Sequence, residues 1–428
     1  MEKLNNYIIK STLIILIGTI LTSGSNFLFY VIAGNLLSVS EFGEISSIIS
    51  IIGFSTLISN FGVPHLWLKL FAKEGNNGKR WINPSLKFLS FSALLTFLFV
   101  NLWSILGPHT AQSEKIFFLI SSLIFQQLIV DIIAVKFQLE NNFSKMIFWQ
   151  SIPSVTRTVL LIFASFLLSE LNQLTIGYIY FFVSIFFILA SVLNINEIRK
   201  GSINLDLVKN DKSDFIDDSS VKNLIFFSSP FALSLILSYI FNQSDIIMLN
   251  YFSSNTSTGY YNASYLIFST FILLPTMIYN KYYLPYVHRW SYNNSAKLKS
   301  FSKNHRIILL LLGITAFLFL NQFSQFIIEF VFGSNYDESI DLLKILSFGL
   351  PFVFMTFASS ILLFTKDNIY IKTIFMAIVS SLKIILNLVF IPQYGHFAAA
   401  YSTLVCNILL FLLYSFYVNK FIVNNEKS

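Results

Sequence analysis

A chain of 428 residues that is 55% hydrophobic and only 11% charged has too little polar surface to coat a water-soluble body of that size. Its net charge of +7 would suit a polyanionic partner. The lysines and arginines lie beside apolar stretches, however, where they set topology and meet anionic lipid headgroups rather than nucleic acid. The expected class is an all-α polytopic membrane protein, and a soluble enzyme is excluded.

In chain order, twelve apolar stretches fall near residues 11–36, 44–68, 87–106, 115–137, 145–168, 174–197, 222–250, 257–284, 303–321, 339–365, 369–391 and 397–420. Each has roughly the 20 residues needed to cross a hydrocarbon core of about 30 Å. The first runs past the length of a signal-peptide core, and no small-residue cleavage pattern follows it, so it reads as a retained helix. Of the 28 basic residues, 24 sit in the two tails and in the connections after the second, fourth, sixth, eighth and tenth stretches. The opposite connections hold Lys115 alone. Short loops rich in Lys and Arg stay in the cytoplasm, which predicts twelve helices with both termini inside.

Sliding the chain on itself by 216 residues aligns Asn26 with Asn242, Leu36 with Phe252, Ser40 with Thr256 and Gly43 with Gly259. Further along, an offset of 226 pairs Gly107 with Gly333, Asn142 with Asn368 and Arg157 with Lys383. Six helices per copy make the second copy enter the membrane in the same direction as the first, which predicts parallel repeats about an axis normal to the bilayer and a central cavity between them. The expected organisation is a six-helix lobe at 1–198, a cytoplasmic linker at 199–221 rich in Asp, Ser, Asn and Lys, and a second lobe at 222–428.

Charges inside the apolar stretches are the candidate functional residues. Arg157 lies 12 residues beyond Lys145, roughly 18 Å deep at about 1.5 Å per residue. Lys383 lies 11 residues beyond Lys372, at a depth of about 16 Å by the same rise. A cation at mid-bilayer costs about 2.5–3.5 kcal/mol on insertion scales, so it should face water or a partner. Both read as contacts for an anionic substrate, with a structural ion pair as the alternative. Lys344, near the outer face, is a third candidate contact, or else a partner of Asp341 one helical turn away. Asp131 and Asp245 are the intramembrane acids, and either is a candidate coupling-ion site or a counter-ion to those cations. For Asp245, near the outer end of its stretch, a solvated interfacial role is the alternative.

The remaining chemistry-bearing residues point elsewhere than catalysis. Cys406 is the sole cysteine and should be buried packing. The five histidines show no metal-ligand spacing, and there is neither a phosphate-binding glycine loop with Lys and Ser/Thr nor a nucleophile elbow. No cofactor, metal or enzymatic activity is expected. Tyr260 and Tyr261 are candidates to line the cavity and stack on sugar rings.

Four segments carry a resemblance. They are NLLSVSEFGEISSIISIIGFSTLISNFGVPHLWLK (Asn35 to Lys69), SDIIMLNYFSSNTSTGYYNASYLI (Ser244 to Ile267), FGSNYDESIDLLKILSFGLPF (Phe332 to Phe352) and IPQYGHFAAAYSTLV (Ile391 to Val405). In this order they resemble the Wzx-type O-antigen and capsule flippases of the multidrug/oligosaccharidyl-lipid/polysaccharide (MOP) transporter superfamily. The resemblance implies two V-shaped lobes, a bacterial inner-membrane location, and transfer of an undecaprenyl-pyrophosphate-linked oligosaccharide between leaflets by alternating access. It also implies a glycan polymerase and a chain-length regulator as candidate partners. Arg157 and Lys383 would then hold the phosphates or acidic sugars, Arg157 by bidentate contacts. The alternatives are a multidrug exporter of the same superfamily, whose cavity should be acidic, a membrane-embedded glycan polymerase, which should have a long basic outer loop, and a non-catalytic scaffold.

Overall fold

The computed structural model describes residues 2–168, 171–205, 218–284, 286, 287, 290, 295–364 and 369–423. Among the described residues there is no strand. In hydrocarbon every backbone N–H and C=O needs an internal partner, and long helices supply it. The helices are α1 Glu2–Leu36, α2 Val39–Asn60, α3 Val63–Glu74, α4 Ile82–Leu106, α5 Ala111–Ser121, α6 Leu123–Leu139, α7 Phe143–Leu167, α8 Gln173–Ala190, α9 Val192–Arg199 and α10 Val221–Phe252. They continue with α11 Asn255–Met277, α12 Ser295–Phe332, α13 Asp337–Ser347, α14 Leu350–Ser360 and α15 Ile369–Tyr417.

Among the described residues eight helical stretches are long and apolar enough to cross a membrane, or nine if the pair Ser334–Ser347 and Leu350–Ser360, bent by 44°, is one span. Two of the eight, Val39–Leu106 with 68 residues and Tyr370–Phe421 with 52, are long enough for two passes each. α11 is not among them because its first turns are Asn255, Thr256, Ser257, Thr258 and Asn262. The architecture is compatible with the twelve expected passes.

Breaks within the spans have local causes. α2 ends at Phe61 and Gly62, whose φ angles of +48° and +72° lie in the left-handed region, and α3 restarts with Pro64 in its first turn. α15 is two limbs joined at Gly395, with φ +54° and ψ −134°, just after Pro392.

The chain divides into two compact units, one of Met1–Leu37 and Ile48–Ile236, the other of Ser38–Ser47 and Leu237–Ser428. The division runs through α2 and α10 rather than at the expected linker, of which residues 206–217 lie outside the described residues. Burial explains this. The first turns of α10 set Phe227 edge-on to fully buried Trp81 at 6.2 Å and stack Phe231 on His65, whereas the first turns of α2 bury Phe42 against Phe332 and Tyr336.

In the first unit α1 packs along α7 through small polar residues. Thr22 and Ser151 share a hydrogen bond of 2.8 Å and Thr158 donates to the Ser25 carbonyl. Such contacts hold helices together where lipid removes the hydrophobic drive between them. In the second unit α2 and α11 start alike, with Ser38 and Ser254 as N-caps bonding Glu41 and Ser257 three residues on. They then cross at Gly43 and Gly259. A methyl added at Gly43 would lie 1.9 Å from the Asn255 carbonyl oxygen, and one at Gly259 would lie 2.2 Å from that of Val39. Asn262 donates to Ser46 at 2.7 Å. Each of these residues meets its repeat counterpart's neighbourhood at the offset of 216, so the crossing is reciprocal, as about a local two-fold axis.

Large side chains such as Phe166, Phe330 and Leu106 are 83%, 79% and 75% exposed, a surface suited to lipid rather than to water.

Candidate functional site

In the second unit, α10 carries Phe241 and Asp245 on one face, and the first limb of α15 carries Lys383 and Asn387 with the same four-residue spacing. The spacing brings all four together. Asp245 and Lys383 are 0% and 1% exposed, and the Lys383 Nζ lies 2.6 Å from an Asp245 oxygen and donates to the Phe241 carbonyl at 2.6 Å. Asn387 donates to the other Asp245 oxygen at 2.7 Å, while Tyr261 and Thr403 donate their hydroxyls at 2.7 and 2.8 Å. Ser402 in turn donates to Asn387. Every polar group of this cluster is therefore satisfied, which a buried charge pair requires.

Of the readings open for Asp245, the solvated interface does not hold, for the residue is fully buried because α11 and both limbs of α15 close over it. Tyr261, expected to line a cavity, is also 0% exposed and spends its hydroxyl on Asp245. Tyr260 remains partly exposed, edge-on to Tyr336 and to His396.

A cavity of about 280 Å³ opens beside the pair within the second unit. Lys383 and Thr403 border it, as do Lys372, Asn242, Asn407 and Tyr265. It is small by the standard of ligand pockets, which run from about 300 to 1,000 Å³. Asp245 neutralises Lys383, and Lys372 is a second basic residue on this lining. Reading the sequence had assigned Lys372 to the loops that set topology. Its signal was its place eleven residues, three helical turns, before Lys383 on one face.

In the first unit Arg157 of α7 places its guanidinium 4.7 Å above the Tyr180 ring, which meets Phe29 edge-on at 5.5 Å. Among the described residues no carboxylate lies within ion-pair distance of Arg157. The two cations thus differ: Lys383 is tied to an acid and Arg157 rests on an aromatic face.

Asp131 of α6 lies apart from Arg157 in its bonding. It accepts from Asn60, the last residue of α2, at 2.7 Å and from Gln127, one turn back, at 2.9 Å. Both amides were missed in the sequence, although an amide four residues from an intramembrane acid is a legible sign of a satisfied carboxylate. Lys344 joins none of these groups. It pairs with Asp341 at 2.9 Å, the two side chains being 41% and 64% exposed.

Residues 8–290 match the family model described as polysaccharide biosynthesis protein. Among solved structures the chain is similar to the lipid II flippase MurJ in an inward closed conformation, with 18% identity and a TM-score of 0.70 over 94% of this chain and 87% of that one. It is similar at 12% identity, also with a TM-score of 0.70, to the inward-facing form of a multidrug resistance MATE family transporter of the MOP superfamily, over 95% and 96% of the two chains. An outward-facing form of such a transporter gives 11% identity and a TM-score of 0.62 over 99% and 97%. No curated protein matches the chain. At these identities the structural likenesses show the fold.

Proposed function

The chain belongs to the polysaccharide biosynthesis protein family, and on that premise we propose that it flips an undecaprenyl-pyrophosphate-linked oligosaccharide, an O-antigen or capsule unit, across the bacterial inner membrane. One observation carries the choice of an anionic substrate: Arg157, deep in the apolar part of α7, faces no carboxylate among the described residues. A guanidinium with open donors is suited to phosphate, which it grips bidentately. In the second unit Lys372 borders the cavity, while the charge of Lys383 is taken up by Asp245. The likeness to MurJ, a lipid II flippase, supports a lipid substrate. Lys344 is left to its pair with Asp341. The proposed step breaks no covalent bond, so the reading is transport rather than catalysis.

The test is mass spectrometry of lipid-linked glycans in a deletion strain. An undecaprenyl-linked oligosaccharide should accumulate, and the intact gene should clear it. Arg157→Ala should fail to clear it at normal membrane abundance, and Arg157→Lys should clear it in part, because charge is kept and the fork is lost. The likeness to multidrug transporters carries a second reading, export of organic cations. Unchanged glycans together with lost dye efflux in the deletion strain would establish that reading and end the first.

A further inference from the structure

We infer that Asp131, with Asn60 and Gln127, forms a reversible proton site in the first unit, whereas Asp245 carries its counter-charge permanently as Lys383. The two intramembrane acids differ in what neutralises them. The Lys383 ammonium lies 2.6 Å from Asp245 and is covalently part of the protein, so no ion from solution is needed there. Asp131 meets only neutral amide donors, and among the described residues no lysine, arginine or histidine lies within ion-pair distance of it. A carboxylate in low dielectric with no fixed counter-ion can be neutralised only from outside.

Asn60 is built to serve both forms of the acid. It is 7% exposed, its Nδ2 donates to Asp131, and its Oδ1 has no hydrogen-bond partner. A half-turn of the amide puts Oδ1 where Nδ2 stands, 2.7 Å from the Asp131 oxygen. Two oxygens close to that distance only with a proton between them. One water-borne proton added at Asp131 Oδ2 takes the carboxyl from −1 to neutral, and it then donates to Asn60 Oδ1. No other group changes charge.

The surroundings favour this exchange. Asn60 ends α2 at the break formed by Phe61 and Gly62, so the last carbonyls of α2, the negative end of its dipole, sit beside the acid and favour positive charge. Asp131 is half-buried rather than sealed off. Several charged and titratable groups on the elements packed against α6 have other partners. Lys136 is bonded to Glu197, Glu74 to Arg80 and Arg157 to the Tyr180 face, while His65 stacks on Phe231. Both Asp131 oxygens already face N–H donors, which a metal ion would have to displace, whereas a proton needs one acceptor.

This site rests on the transport reading only for its use, since proton binding can be seen without transport. The measurement is infrared difference spectroscopy of the full-length protein in lipid, titrated through the physiological pH range. A protonated-carboxyl C=O band should appear on acidification and be lost in Asp131→Asn. It should persist in the double variant Asp245→Leu with Lys383→Met, which removes the buried pair together. Asn60→Leu should move its midpoint by about one pH unit, the size of a hydrogen bond, where a merely space-filling Asn60 would leave it fixed. Should Asp131→Asn not accumulate, Asp131→Glu must shift the band. A band that survives in Asp131→Asn, or that never appears, overturns the site. Neither result touches the glycan accumulation in the deletion strain, which tests the substrate separately.

Discussion

Lys383 and Asp245 each lose their hydration inside the second unit, and the pair is tolerable only because both partners and four neighbours are present together. Removing one partner strands a buried charge, which typically costs about 3–5 kcal/mol, while replacing both with apolar residues is often neutral. Lys383→Met or Asp245→Leu alone should therefore lower the thermal unfolding temperature in detergent sharply, and the two together should restore most of it. A double variant as unstable as either single one would show that packing, not charge, holds this site. Depth along a helix was legible from Lys145 and Lys372, so the sequence placed Arg157 and Lys383 at one level. What faces a side chain is set by helix rotation, which spacing alone does not give for α10 against α15. Hence the fixed partner of Lys383, its Asp245, stood in the sequence as only one of two candidate counter-ions, and the aromatic seat of Arg157 was not visible at all.

At the level of elements, the crossing of α2 and α11 depends on two residues without a Cβ. Gly43→Ala would drive a methyl to 1.9 Å from a backbone oxygen, and Gly259→Ala to 2.2 Å, neither of which a side-chain rotation can relieve. Both should sharply reduce folded protein in the membrane, as monitored by fluorescence size-exclusion of a tagged chain. Gly24→Ala in α1 is the control. Nothing lies within 4 Å of its added methyl, and replacing Gly in a helix interior gains roughly 0.5–1 kcal/mol. The repeat offset of 216 made the equivalence of Gly43 and Gly259 legible, since it pairs them directly. That equivalent residues would also touch was not legible, because an offset records likeness and not contact.

For the whole molecule, orientation follows from where lysine and arginine fall. Reporter fusions at Gly75, Lys209 and Asn294 should read cytoplasmic, and fusions at Ser38, Asn172 and Asn335 should read on the opposite side; Lys209 and Asn294 lie outside the described residues. One reversed site would break the assignment. The apolar stretches were legible because hydropathy is a property of composition, and they hold even where Pro392 and Gly395 bend a helix. Unit membership was not, because it depends on which helix ends bury which aromatics. The first turns of α10 belong to the first unit and those of α2 to the second. As an assembly problem, this means that neither half of the polypeptide can finish its own fold. A fragment ending at 205 would lack the turns of α10 that cover Trp81 and His65, and a fragment starting at 218 would lack the turns of α2 that seat Phe42 on Phe332 and Tyr336. Made separately, each fragment should be degraded, and made together they should rescue one another. Rescue would make the peptide connection between the fragments dispensable, and the exchanged helix ends would alone decide whether the two make one protein.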